Sequence, residues 1–141
     1  EQVLEVLRWD GRTPLHMVSS QLPNPPDTQQ IQESITILIQ AGIAPDAIDQ
    51  FGQTPLHYAT RTGNQTAAQC LLDAGANPNA RESKYGSTPL HYAATLGMLD
   101  LIEIIVHAGG MPDTSRNDGK SPAQLLAQYH PHKSAVLIPA H

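Results

Sequence analysis

Apolar residues fall at Ile31, Ile35, Leu38 and Ile39, and again at Leu99, Ile102, Ile105 and Val106, with polar positions between them. That spacing follows the 3.6-residue period and predicts amphipathic helices that each bury one stripe. Such helices close on AGI, AGA and AGG, where Gly42, Gly75 and Gly109 are expected to supply left-handed C-terminal caps. The segments APDA, NPNA and MPDT come next. The residue before each proline is biased away from helix, so these segments are expected to be extended.

A second start signal precedes each of these helices. TPLH begins at Thr13, Thr54 and Thr88, and a variant, SPAQ, begins at Ser121. Threonine before proline offers a hydroxyl at the N-cap, and proline at the first helical position loses no hydrogen bond. His16, His57 and His91 sit at the third helical position, where a capping box reaches back to the helix start. Leu15, Leu56 and Leu90 point to one face.

The copies are stepped by 41, 34 and 33 residues. From His16 to Ala41 is 25 residues, against 17 from His57 to Ala74 and from His91 to Ala108. The first copy therefore carries eight extra residues, placed at about 22–29 (LPNPPDTQ) between its two helices. With three prolines this insertion is expected to have no capacity for helix, and to be either a second contact or a tolerated loop. One further extra residue falls in ARESKYGST. Without them the period is 33 throughout. A single domain over 1–141 is expected, with copies at about 10–48, 49–82 and 83–116 and a partial one at 117–141. The second helix of the partial copy is expected around Lys133–Ile138 and cut short.

Composition narrows the class of protein. Aromatic residues make up only 4% of the chain, so the core must be filled by Leu, Ile, Val and Ala. A net charge of -5 argues against binding to nucleic acid or an anionic membrane surface. The single cysteine, Cys70, excludes a disulfide within the chain and suits a reducing, intracellular compartment, cytoplasmic or nuclear, of the producing cell or of a host. The longest apolar run, ITILI, is too short to span a membrane, and no signal peptide is visible. Opening on Glu1 rather than Met, the chain reads as a trimmed piece of something longer.

Taken together, TPLHYA, the central glycine, and LLDAGANPNA resemble the ankyrin repeat, a helix–turn–helix of period 33. The resemblance covers roughly residues 10 to 133. It implies an all-α solenoid whose units carry short β-hairpin fingers, ending in a degenerate C-terminal capping repeat.

Residues that could carry chemistry have structural alternatives. His130, His132 and His141 could be pictured as metal ligands, but without cysteine or regular spacing they read as a polar chain end. His107 suits the C-terminal end of a helix dipole. Cys70 lies on an apolar helix with no base beside it and reads as a small core residue. Asn64-Gln65-Thr66 matches a glycosylation acceptor that only a secreted chain could use. Asn79 resembles the hairpin asparagine that some family members present for hydroxylation, though Asp46 and Asp113 hold that place in the neighbouring copies. No catalytic residue, cofactor site or metal site is expected.

The resemblance further implies a concave groove, made by the hairpin tips and the outer side of the first helices, that binds another protein. Mapped here, the first tip holds Trp9, Asp10 and Arg12, and the second holds Gln50, Phe51 and Gln53. Arg81, Lys84 and Tyr85 belong to the third and Lys120 to the fourth, while the helix ends add Arg61, Thr62, Thr95, Leu96 and Tyr129. Most of the chain's few aromatics thus fall on the predicted face. They are expected as exposed anchors; the alternative is that each ring folds down on its own hairpin. Tyr58 and Tyr92 are expected to pack, with their hydroxyls at the groove edge. Arg12, Arg61, Arg81, Lys84 and Lys120 would make the groove mildly basic, diluted by Asp10, Asp49, Glu82 and Asp118. Glu33, Asp73, Asp100 and Glu103 would face the opposite, convex side. The function expected is a non-catalytic adaptor or scaffold that binds a partner, with a segment mixing apolar and acidic residues. The alternatives are the recognition domain of a larger enzyme or effector whose catalytic part lies outside this chain, and a structural spacer.

Overall fold

A computed structural model describes residues 11–20 and 27–136, and within them every regular element is a helix. In order, the helices are α1 (Pro14–Ser19), α2 (Thr28–Gln40), α3 (Pro55–Thr62), α4 (Gln65–Asp73), α5 (Pro89–Leu96), α6 (Leu99–His107) and α7 (Pro122–Tyr129). A 3₁₀ helix, Pro131–Val136, follows. Each odd helix pairs with the even helix after it, and like helices of successive copies stack on one another. The core is a run of layers made of Leu15, Leu56, Leu71, Leu90, Leu101 and Leu125, each fully buried, with alanines between them.

Local chemistry explains where the helices start. Thr13, Thr54, Thr88 and Ser121 are extended N-caps, each forming a two-way capping box with the third helical residue, and each is followed by proline. The second helices begin differently: Asp27 and Asn64 accept the backbone N–H of Gln30 and Ala67, whereas Met98 makes no side-chain cap. Gly42, Gly75 and Gly109 have positive φ as expected of C-terminal caps. Thr88 is fully buried and accepts the His91 N–H. Its replacement by alanine should cost about 1 kcal/mol or somewhat more. Urea denaturation checks this; a midpoint equal to that of the parent would contradict the capping role.

Three expectations are corrected. The segments after the glycines are not simply extended, because Pro45–Asp46, Pro78–Asn79 and Pro112–Asp113 form turns. One of these is closed by Ala47 N–H donating to the Ala44 carbonyl at 3.1 Å. Pro45's fixed φ suits the second position of such a turn. The insertion is not wholly non-helical: Thr28 and Gln29 open α2 behind the Asp27 cap. Residues 22–26 lie outside the described part. Instead of a second α-helix, the last copy has the 3₁₀ helix starting at Pro131, and residues 137 and 138 are again outside the described part.

The fingers are tight loops without a strand ladder among the described residues. Asp49 N–H donates to Gln53 O and Arg116 N–H to Lys120 O, both at 3.0 Å. In the third copy Glu82 N–H donates to Ser87 O, five residues on rather than four, so the extra residue of ARESKYGST lies within this finger. No helix in the described residues is long and apolar enough to cross a membrane.

Candidate protein-binding face

A buried acid organises each of the two central fingertips. Asp49 accepts the N–H groups of Phe51 and Gln53, both at 2.9 Å, on one oxygen and the Tyr58 hydroxyl on the other. Glu82 accepts those of Tyr85 at 2.7 Å and Ser87 at 2.9 Å. The longer side chain of Glu82 matches the longer loop of its finger. Asp49 is only 6% exposed and Glu82 3%, so neither is a surface charge of the groove, as the sequence suggested. In the fourth finger Arg116 takes the acid's position. Asp118 there accepts both Arg116 and the Lys120 N–H. The hydrogen bonds from Arg116 hold its carboxyl down at about 2.

Neighbouring fingers are tied side to side. Ser83 N–H donates to Phe51 O and Asn117 N–H to Tyr85 O, each at 2.8 Å. The loops that carry Phe51 and Tyr85 are therefore fixed before any partner arrives. Phe51 is 53% exposed and Tyr85 51%, so each leaves about half its surface open to solvent. Lys84 lies 5.0 Å from the centre of the Tyr85 ring. Leu96 is 46% and Tyr129 53% exposed at the ends of α5 and α7.

Histidines link the copies. In each of the first three, the N-cap threonine donates its N–H to Nδ1 of His16, His57 or His91, at 3.0–3.1 Å. Nε2 then reaches a carbonyl of the next finger: Gln53 at 2.8 Å, Ser87 at 3.0 Å and Lys120 at 3.0 Å. A nitrogen that accepts at one edge and donates at the other defines the neutral, Nε2-protonated tautomer. Burial pushes all three imidazoles below their usual range, His57 to about 4. Tyr58 and Tyr92 pack edge-on against His16 and His57, as expected of them, at ring separations of 5.1 and 5.4 Å. Burial, with the Asp49 carboxylate for Tyr58 and Glu82 for Tyr92, holds both phenols well above the ordinary range.

The remaining candidates fall into groups. Gln50, Arg61, Arg81 and Lys84 are exposed, and Arg12, Gln53 and Lys120 are partly so. Arg61 donates to Gln53 Oε1 at 2.6 Å and lies over the Tyr58 ring; Lys120 donates to Gln128 Oε1 at 3.1 Å. Thr62 and Thr95 are half-buried, and their hydroxyls bond back to Tyr58 O and His91 O of their own helices. Trp9 and Asp10 lie outside the described residues. Of the exposed apolar residues absent from the sequence candidates, Met17 and Ile48 lie in register with candidate positions. Register would have found them: Met17 follows its histidine as Tyr58 and Tyr92 do, and Ile48 precedes Asp49 as Arg81 precedes Glu82.

Other sites prove structural. Asn64 is the buried cap of α4, so the acceptor sequence at 64–66 presents no free amide. The Asn79 amide donates to Gly109 O at 3.0 Å and its oxygen accepts Met111 N–H at 2.9 Å, which bridges adjacent copies. Burial raises the Cys70 thiol, in keeping with a core role. His130 donates from Nε2 to Thr95 O at 3.0 Å, and its ring lies against Gly97. Glu33, Asp73, Asp100 and Glu103 are exposed on α2, α4 and α6, which carry no Lys or Arg. Between these helices lie two open clefts of about 520 and 550 Å³. No three His, Cys, Asp or Glu side chains converge on a cation position among the described residues.

Comparison with known proteins agrees with this geometry. A family model described as ankyrin repeats (3 copies) matches residues 27–118. The chain is 36% identical over 76 residues to "Ankyrin repeat protein nuc-2" of Neurospora crassa, a match covering 53% of this chain and 6% of that protein. It is 40% identical over 58 residues to "Ankyrin repeat, SAM and basic leucine zipper domain-containing protein 1" of Colobus guereza, covering 41% of this chain and 11% of that one. The chain thus spans a small fraction of the length of these relatives.

Proposed function

The chain belongs to the ankyrin-repeat family, and we propose that it is a non-catalytic adaptor or scaffold module holding a partner protein against its fingertips and groove. Ankyrin repeats are in general protein–protein interaction modules. The observation that carries the reading is the half-exposure of Phe51 and Tyr85 on loops locked to each other by backbone hydrogen bonds. In a chain so poor in aromatics, rings held out into water on rigid supports fit interface anchors, because little ordering entropy is lost when they bind. The surrounding charges favour a partner segment that mixes apolar side chains with carboxylates. Asp49 and Glu82 are withdrawn into the fingers and Asp118 is paired, while Arg61, Arg81 and Lys84 stay exposed.

The test is affinity capture from cell extract, comparing the parent chain with a Trp9→Ala, Phe51→Ala, Tyr85→Ala variant shown by circular dichroism to be equally folded. Captured partners should be lost or weakened by more than about tenfold, the scale of hot-spot truncation. Identical capture by both chains would move the binding site away from the fingers. Association should also slow at high salt. A second reading, in which this is the recognition part of a larger enzyme or effector, is favoured by the lengths of the two relatives. Sequencing the full transcript decides it.

A further inference from the structure

We infer that the groove reads one extended segment lying obliquely across it, with an apolar or aromatic side chain at each end and carboxylates between. The inference rests on the binding role proposed above and specifies the partner's chemistry. Among the described residues, and besides Met17 on α1 and Ile48 before Asp49, the exposed apolar side chains on this face are not aligned along one edge. At the fingertips they are Phe51 and Tyr85, of the second and third copies; at the far ends of the first helices they are Leu96 and Tyr129, of the third and fourth. The corresponding fingertip of the fourth copy is Asp118, and the corresponding helix end of the second is the half-buried Thr62. The apolar pairs are therefore offset by one copy, and the line joining them runs diagonally.

Cations flank that line on both sides. Arg61 lies in the last turn of α3 in the second copy, and Lys120 in the finger before α7 in the fourth. Each is held by a neutral amide, Gln53 and Gln128 respectively, rather than by a carboxylate. An amide partner orients a cation without cancelling its charge, so both remain able to attract an acidic side chain. The third copy, between them, adds the exposed Arg81 and Lys84 at its finger, with the uncharged Tyr92 and Thr95 on its first helix. From fingertip to helix end is the turn residue Gly86, two further residues and an eight-residue helix, on the order of 20 Å. An extended peptide covers that in about six or seven residues. The occupant is thus a short segment with apolar residues about six apart and Asp or Glu in the middle.

The experiment is selection of a random 12-residue peptide display library on the immobilised chain. Winning peptides are then titrated by fluorescence anisotropy against the parent and two double variants, Phe51→Ala/Tyr85→Ala and Leu96→Ala/Tyr129→Ala. The expected winners carry the apolar–acidic–apolar pattern and lose at least tenfold in affinity with either variant, and Arg61→Glu weakens them further. Winners lost with the fingertip variant but untouched by the helix-end variant would overturn the oblique path and leave the fingertip binding role standing. Winners insensitive to both variants would overturn both. Enriched peptides without carboxylates, or no enrichment at all, would also overturn the inference. Glu103→Lys, on the opposite helices, serves as the variant that should change nothing.

Discussion

Between pH 7 and pH 4 the protein should lose roughly 3 kcal/mol of unfolding free energy through His57 alone. The imidazole is fully buried and neutral, accepting the Thr54 N–H and donating to Ser87 O of the next copy. Burial pushes it down to about 4; the hydrogen bond to Ser87 and the Glu82 and Asp49 carboxylates offset this only in part. An unfolded histidine takes up its proton near pH 6.5, whereas the folded one does not until about pH 4. Between those values the unfolded state binds more protons, so stability rises with pH there. The contribution is whole above pH 6.5 and is lost as pH falls through the window. His16 and His91, shifted in the same direction by burial, add to the effect. Urea midpoints measured at pH 7, 5.5 and 4.5 check this. In His57→Gln the dependence should be visibly shallower; an unchanged slope would assign the acid sensitivity to other groups. Besides the cost of burying the charge, protonation puts an N–H on Nδ1, facing the Thr54 N–H that this nitrogen previously accepted.

Replacing Asp49 with alanine should be the most damaging single change on the proposed binding face, although its side chain is almost inaccessible. The substitution leaves the N–H groups of Phe51 and Gln53 and the hydroxyl of Tyr58 without their acceptor. A buried donor stripped of its partner costs about 1–3 kcal/mol, and some rehydration of the fingertip will limit the total to roughly 2–4 kcal/mol. The loop carrying Phe51 would also lose its set geometry, so binding should fall together with stability. Asp49→Asn provides the contrast. Its amide oxygen can still accept the two N–H groups, and its NH₂ can donate to the Tyr58 oxygen once that hydroxyl turns away. Thermal melts and partner titration on the two variants should rank alanine well below asparagine. Equal loss in both would mean that the negative charge, rather than the hydrogen-bond pattern, shapes the finger.

Much of this architecture was legible along the chain because its determinants are local. Thr-Pro at a helix start, glycine at a helix end and apolar residues at a period of 3.6 act within one turn or one loop. The counted spacings even located the extra residue of the third finger. Reading failed where a partner comes from another copy. His57 was recognised as a capping residue, but its bond to Ser87 spans 30 residues and has no signature in the TPLH motif. Along the chain Asp49 and Glu82 look like groove charges, because an acid in a polar loop usually meets water. Three-dimensional closure of the finger around each carboxylate gave it enough donors to stay buried.

The sequence by itself determined the repeat, its period, the starts of its first helices and the family, since each follows from contacts between near neighbours. Only the tertiary structure decided which charges face water and which apolar residues of different copies stand together. Stacking brings positions one period apart side by side, and exposure on that surface depends on what the neighbouring copy covers. Phe51 and Tyr85 therefore stand half-exposed on the fingers while Asp49 and Glu82 are withdrawn.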